Sequence, residues 1–242
     1  MIKINNMFYY VQTLVRKIRF YSKEMFFKRS YSQFGEDLLL QGFLGEKWSW
    51  NYRGFWVDIG AHHPRRLSNT KIYSDVGWRG INVDASSEAI RAFDRARPRD
   101  INVNVGIGKE TGTLDYYRMA LSPMNTFSKA FADKAIAGGV KLREVVKIPV
   151  ITLKDLLDRY LPQGQAIDFL SIDCEGLDLE ILESNDWNHY RPEFILIEIH
   201  TDGRNWEIPD SCVARYLRER GYEVVGQSVV TTLFRRVTAA MP

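Results

Sequence analysis

The sequence predicts an α/β fold: a doubly wound, seven-stranded, mostly parallel sheet with helices on both faces and an antiparallel strand at its end. Three observations predict it. Five short apolar runs lie between residues 55 and 199, helix signals fill the segments between them, and two β-type runs stand a couple of residues apart near the C-terminus. Strands buried on both faces read as unbroken apolar runs, and right-handed βαβ crossovers stack them into one sheet. At 242 residues and 45% apolar side chains, the chain supports one large domain, with at most an appendage.

The appendage is residues 1–30. Phe8, Val11, Leu14, Val15, Ile18 and Tyr21 recur there at helical spacing, with Arg16, Lys17, Arg19 and Lys23 between them. Seven Lys/Arg and one Glu give this basic amphipathic helix +6, and the remainder of the chain carries -3. Its apolar stretch is broken too early for a signal peptide. It is expected to pack on its own domain, to meet a second copy of the chain in a homo-oligomer, or to lie peripherally on an anionic membrane surface. The body lacks a basic stripe, which argues against nucleic acid as a partner. No apolar run approaches the roughly 20 residues of a membrane span. Two cysteines, Cys174 and Cys212, are too few for a disulfide framework, so the expected compartment is the cytoplasm.

Residues 31–242 read as a single domain. Its parallel strands are expected at 55–59, 81–84, 101–105, 167–173 and 194–199, each an apolar run. Between them, Ser68 and Asn69 open a helix that stops near Gly77, and Ser87 and Glu88 open another that ends before Pro98. Thr152 caps a helix over 153–160, and Asp210 and Ser211 cap one closed by Gly221. The runs 222–226 and 229–235 make the antiparallel pair. Within 106–150 the alternation fails: Pro123, Gly138 and Gly139 mark 122–143 as a loop-rich insertion over the substrate side.

In open α/β sheets ligands bind at the carboxyl ends of the strands. Here those ends read Asp58-Ile59-Gly60-Ala61, Asp84-Ala85-Ser86, Asn104-Val105-Gly106 and Asp173-Cys174-Glu175-Gly176. A dinucleotide site needs Gly-x-Gly-x-x-Gly after the first strand, and only the first glycine is present, which disfavours an NAD-dependent oxidoreductase. Asp84, 24 residues past Gly60, is placed to take two ribose hydroxyls. S-adenosylmethionine, with a ribose, a sulfonium, an ammonium and no phosphate, fits this acid-rich, glycine-poor edge better than NAD.

Several segments together carry a resemblance. They are Tyr31-Ser32-Gln33-Phe34-Gly35-Glu36-Asp37, Val57-Asp58-Ile59-Gly60-Ala61-His62-His63-Pro64, Ser68-Asn69-Thr70, Gly77-Trp78-Arg79-Gly80-Ile81-Asn82-Val83-Asp84-Ala85, Met124-Asn125-Thr126-Phe127-Ser128 and Ile172-Asp173-Cys174-Glu175-Gly176. In this order, over residues 31–200, they resemble the FkbM-type methyltransferase family. The resemblance implies a class I (Rossmann-like) methyltransferase fold and S-adenosylmethionine-dependent O-methylation of sugars, glycans or natural products. It implies that Asp58 and Gly60 meet the methionine part of the cofactor and Asp84 its ribose. Asn104 and Val105 would border the adenine, Gln33 and Glu36 would close over the cofactor, and Asn69 would add a contact. Phe127 and Ser128 would face the acceptor. Residues 1–30 fall outside it.

An acceptor hydroxyl must lose a proton during transfer. Asp173, Glu175 and His200, near the fourth and fifth strand ends, are the candidate bases, with His200 preferred for its ordinary pKa near 6.5. The same three could instead hold Mg²⁺ or Mn²⁺, which would acidify the acceptor. Asp173 also counts among the cofactor contacts. His63, beside His62 in the first turn, reads as substrate-lining. The leading expectation is an O-methyltransferase of a sugar or glycan hydroxyl. A small-molecule natural-product acceptor is the alternative, and a non-catalytic cofactor-binding scaffold a further one.

Overall fold

The computed structural model describes residues 14, 15, 17, 18, 29–49, 51–199 and 211–237. In chain order the elements are α1 (Glu36–Phe43), β1 (Phe55–Ile59), α2 (Lys71–Asp75), β2 (Arg79–Asp84), α3 (Ser87–Ala96) and β3 (Ile101–Asn104). Then come β4 (Gly106–Ile107), β5 (Gly112–Met119), α4 (Lys129–Ala137), β6 (Leu142–Ile151), α5 (Leu153–Tyr160), β7 (Phe169–Ile172) and α6 (Asp178–Glu183). β8 (Phe194–Glu198), α7 (Cys212–Arg218), β9 (Tyr222–Gln227) and β10 (Thr231–Arg236) complete the chain.

Seven strands form one sheet in the order β3-β2-β1-β7-β8-β10-β9, and β10 alone runs against its neighbours. The order reverses between β1 and β7, which is where a doubly wound sheet opens a crevice. The sheet is the expected one, and its two faces divide by the two-residue period of a strand. Val57, Ile59, Ile81, Val83, Leu170, Ile172, Ile195 and Ile197 pack under α5, α6 and α7. Trp56, Phe169, Phe194, Leu196 and Leu233 point the other way, onto Leu40 of α1, Tyr73 of α2 and Trp78. Each fully buried side chain of this size contributes about 1.5–3 kcal/mol.

The helix signals at Thr152 and Ser211 are realised as N-caps, and the helix expected from Ser87 is capped one residue earlier, by Ser86: each side-chain oxygen accepts from the backbone N–H three residues on. One helix start differs from expectation. The helix expected from Ser68 begins at Lys71, because the Ser68 and Thr70 hydroxyls accept hydrogen bonds from Arg97 (3.0 and 2.7 Å) instead of capping. Before the first strand, α1 begins at Glu36, after Gly35 at φ 88°. There the Asp37 carboxylate gathers the Tyr31 N–H and the Ser30 and Ser32 hydroxyls at 2.7–2.9 Å.

The largest departure is the insertion. It is a three-stranded sheet, β4-β6-β5, with α4 between β5 and β6. Most of the basic N-terminal segment lies outside the described residues. Leu14, Val15, Lys17 and Ile18 are helical and exposed.

Candidate active site

Register sets the site. Ile59 pairs with Val83 on one side and Ile172 on the other, Ile172 pairs with Ile197, and Asp84 pairs with Asn104. One step further along each strand, Asp84, Gly60, Asp173 and Glu198 therefore stand in a row across the carboxyl edge, with Thr231 opposite Glu198. A cavity of about 680 Å³ opens above this row, within the roughly 300–1,000 Å³ range of small-molecule sites. Gln33, Glu36, Gly60, His63, Asn69, Asp84, Asp173 and Glu175 all line it. A recess of about 50 Å³ leads off between β1, β2 and the insertion, walled by Val105, Ile107, Phe127 and Cys174, and it shares Gly60, Asp84 and Asp173 with the main cavity.

Asp84 is held by backbone. Its Oδ2 accepts the His62 N–H at 2.8 Å and its Oδ1 the Ser86 N–H at 2.7 Å. Each carboxylate oxygen has capacity for a second donor, so the group can still take a diol from the cavity. Burial pushes its pKa up to about 6, against the pull of those two N–H groups. Gly60 lies beside it at φ 80°, where a side chain would run into the backbone of Asp173. The bare backbone of the turn thus forms part of the cavity floor.

Asp173 is open to the cavity yet has protein packed densely around it. Burial raises its pKa well above the carboxylate range, and the charges of Glu198, Glu175 and Asp178 raise it further. The Glu198 side chain lies close enough to Asp173 to raise its pKa both by charge and by hydrogen bonding. Carboxylate oxygens of Asp173, Glu175 and Glu198 come within 4.8 Å of one another. The turn that carries two of them is strained: Glu175 has φ 51° and Gly176 φ 101°. The Asp178 carboxylate steadies it by accepting the Cys174 N–H (3.1 Å) and the Gly176 N–H (3.2 Å), and Thr126 donates to the Glu175 carbonyl at 3.1 Å. Strain of this kind, held by surrounding bonds, is characteristic of functional turns.

Four expected residues are placed differently. Asp58 lies beneath the cavity, buried and bonded to the Thr70 hydroxyl (3.3 Å), so the methionine part of a cofactor would not reach it. Burial pushes its pKa up to about 6, moderated by the Ser171 and Thr70 hydroxyls and Arg97. Asn104 lines neither space; its amide donates to the Asp84 and Ala85 carbonyls (2.9 and 3.1 Å), tying down the end of β2. Ser128 caps α4, accepting from Phe131 N at 3.2 Å. Phe127, expected at the acceptor, packs on Tyr116 with ring centroids 4.7 Å apart and walls the inner recess. His200 lies outside the described residues. Glu198 was not anticipated, nor were Tyr116 and Asn125, which line both spaces. Glu198 was legible only as the last acid of an apolar run whose neighbour in the sheet had to be known.

A doubly wound sheet with one reversed strand, and an acid-lined cavity at the carboxyl edge of β1, β2 and β7, define the class I methyltransferase architecture. The profile of the methyltransferase FkbM domain matches residues 58–224, and the chain belongs to that family. Its fold is similar to a crystal structure of methyltransferase FkbM from Methylobacillus flagellatus KT, at 15% identity and a TM-score of 0.45, over 76% of this chain and 43% of that one. The chain therefore spans less than half the length of that protein. Comparison with curated proteins gives no match.

Proposed function

We propose that this methyltransferase uses S-adenosylmethionine to methylate a hydroxyl of a sugar or glycan, with residues 31–242 as a single catalytic domain and 106–150 forming the acceptor side. The row Asp84, Gly60, Asp173, Glu198 carries the reading, since it sets a diol acceptor and a close pair of carboxyl groups in one cavity. Asp84 would take the ribose hydroxyls, the bare Gly60 backbone would allow close approach, and the recess walled by Val105 and Phe127 would take the adenine. Bound there, the cofactor supplies an electrophilic methyl group for in-line displacement.

Asp173 and Glu198 take the proton from the acceptor hydroxyl. A carboxyl with a raised pKa is matched to that task near neutral pH, and much of the remaining acceleration comes from holding the oxygen in near-attack geometry. Asn69, fixed by its amide donating to Ser171 at 3.1 Å, and Gln33, Ser122 and Asn125 offer polar contacts to a polyhydroxylated acceptor. The gathering of Asp173, Glu175 and Glu198 also favours a second route, in which Mg²⁺ or Mn²⁺ on these acids acidifies the acceptor. Activity that survives exhaustive chelation selects the first route, and activity restored only by the ion selects the second.

Both cysteines are free, which supports a reducing, cytoplasmic setting. Among the described residues no helix is long and apolar enough to cross a membrane. The exposed Leu14, Val15 and Ile18 support a contact for residues 1–30 with a second subunit or a membrane surface. Calorimetric titration with S-adenosylmethionine and with NAD, followed by transfer of labelled methyl to a sugar panel, tests the proposal. Micromolar binding of the methyl donor alone is expected, and a preference for NAD would sink it.

A further inference from the structure

The cavity is electrically two-sided. Its floor is acidic, from Asp84, Asp173, Glu175 and Glu198, whereas its mouth carries Arg66, Arg118 and Arg143. Arg118 is already neutralised: it forks onto both Glu88 oxygens at 3.0 Å and meets Glu144 at 2.7 Å. Arg66, in the turn after β1, and Arg143, on β6, are exposed, and among the described residues neither meets a carboxylate. Among the described residues Arg143 donates only to the Ala120 carbonyl, at 3.2 Å.

The surroundings of Arg66 are cationic. Burial depresses the pKa of both His62 and His63, and the charge of Arg66 lowers both further, with Arg97 and Arg65 adding to the effect at His63. His63 Nδ1 accepts the backbone N–H groups of Arg65 (3.0 Å) and Arg66 (3.1 Å). The neutral ring must then carry its proton on Nε2, leaving that N–H to donate elsewhere. Gathering like charges costs folding energy, and an anion bound among them reverses the cost.

We propose that the acceptor is anionic, with a phosphate or carboxylate beside the methylated hydroxyl bound at the cavity mouth by Arg66 and Arg143, and with His63 adding an N–H donor. Resting on the methyl-transfer reading, this narrows the acceptor to phosphorylated sugars or uronic acids. The acidic floor and the basic mouth then separate the two substrates by charge, which orients each before reaction.

The test titrates the full chain, saturated with S-adenosylhomocysteine, with inorganic pyrophosphate and separately with glucuronate, and measures S-adenosylmethionine affinity in parallel. At least one anion should bind, and which one distinguishes phosphate from carboxylate. Arg66→Ala and Arg143→Ala should each weaken it about tenfold or more, with methyl-donor affinity within about twofold of the parent. Arg159→Ala, on α5 and outside the lining of the cavity, should change neither. Absence of anion binding, indifference to both substitutions, or an equal loss in Arg159→Ala would overturn the proposal. So would a fall in methyl-donor affinity alone, which would assign the guanidinium groups to the donor's own carboxylate. If the parent binds no methyl donor at all, the methyl-transfer reading itself fails, whatever the anions do.

Discussion

A methyl group placed on Gly60 would lie 2.0 Å from the carbonyl oxygen of Asp173. The turn after β1 and the end of β7 are thus in backbone contact at the reversal point of the sheet, and φ at Gly60 is 80°. The glycine is required by this approach before any cofactor is considered. Gly60→Ala combines a clash against unyielding backbone with a left-handed conformation. It should cost more than about 3 kcal/mol of stability, read as a lower midpoint in urea at unchanged m-value. A loss under about 1 kcal/mol would mean that the two strand ends can part, and that the row of site residues is not rigidly set.

Asp84 is expected to govern affinity for the methyl donor. Asp84→Ala leaves the His62 and Ser86 N–H groups without their acceptor and removes the diol contact, so S-adenosylmethionine should bind about 10–100-fold more weakly. With its pKa near 6, the carboxylate loses acceptor capacity in mild acid. Affinity in the parent should be flat above pH 7 and decline below pH 6. Calorimetry that finds the alanine variant as tight as the parent would remove Asp84 from the site.

With Asp173 and Glu198 proposed to act on the proton, their neutral amides should affect turnover. Asp173→Asn and Glu198→Gln keep the shape of the pair but cannot accept a proton, and kcat should fall roughly a hundredfold or more. The affinity of Glu198→Gln for the methyl donor should stay within a few-fold. A proportionate loss of affinity and an unchanged pH profile would show the pair to be architectural.

The five parallel strands were legible because burial on both faces writes itself as unbroken apolar runs, and the caps at Thr152 and Ser211 because their signals are local. The insertion was not. β5 is polar along most of its length and half exposed, the apolar end of β6 is interrupted by Lys147 and Pro149, and the turn residues around α4 read as loop. α6, at six residues, is too short to show a helical period. In the site, Asp84, Gly60 and Asp173 were visible because each ends its own strand. Glu198 became a partner of Asp173 only through the pairing of β7 with β8, a relation between segments that no single segment contains. Asp58 and Ser128 misled for the opposite reason: their residue types suit a ligand, but Thr70 and α4 had already engaged them.

Asp58, Asp84, Asp100 and Asp178 each have a pKa pushed up to about 6, chiefly by burial, and Asp173 is raised further. An unfolded aspartate titrates near 3.9, so between pH 4 and 6 these aspartates hold more protons in the folded chain than in the unfolded one. They stabilise the fold as the pH falls through that window, opposed by the two histidines His62 and His63, whose pKa values burial lowers. Without ligand, the melting temperature at pH 5.5 should exceed that at pH 7.5 by several degrees. Asp100, which accepts from the Asn82 amide at 3.3 Å away from the cavity, supplies the internal control. Asp100→Asn should flatten the dependence by its share while leaving binding of the methyl donor unaltered. A melting temperature that instead drops on acidification would show that the carboxylates at the strand ends are held charged by partners stronger than the burial that opposes them.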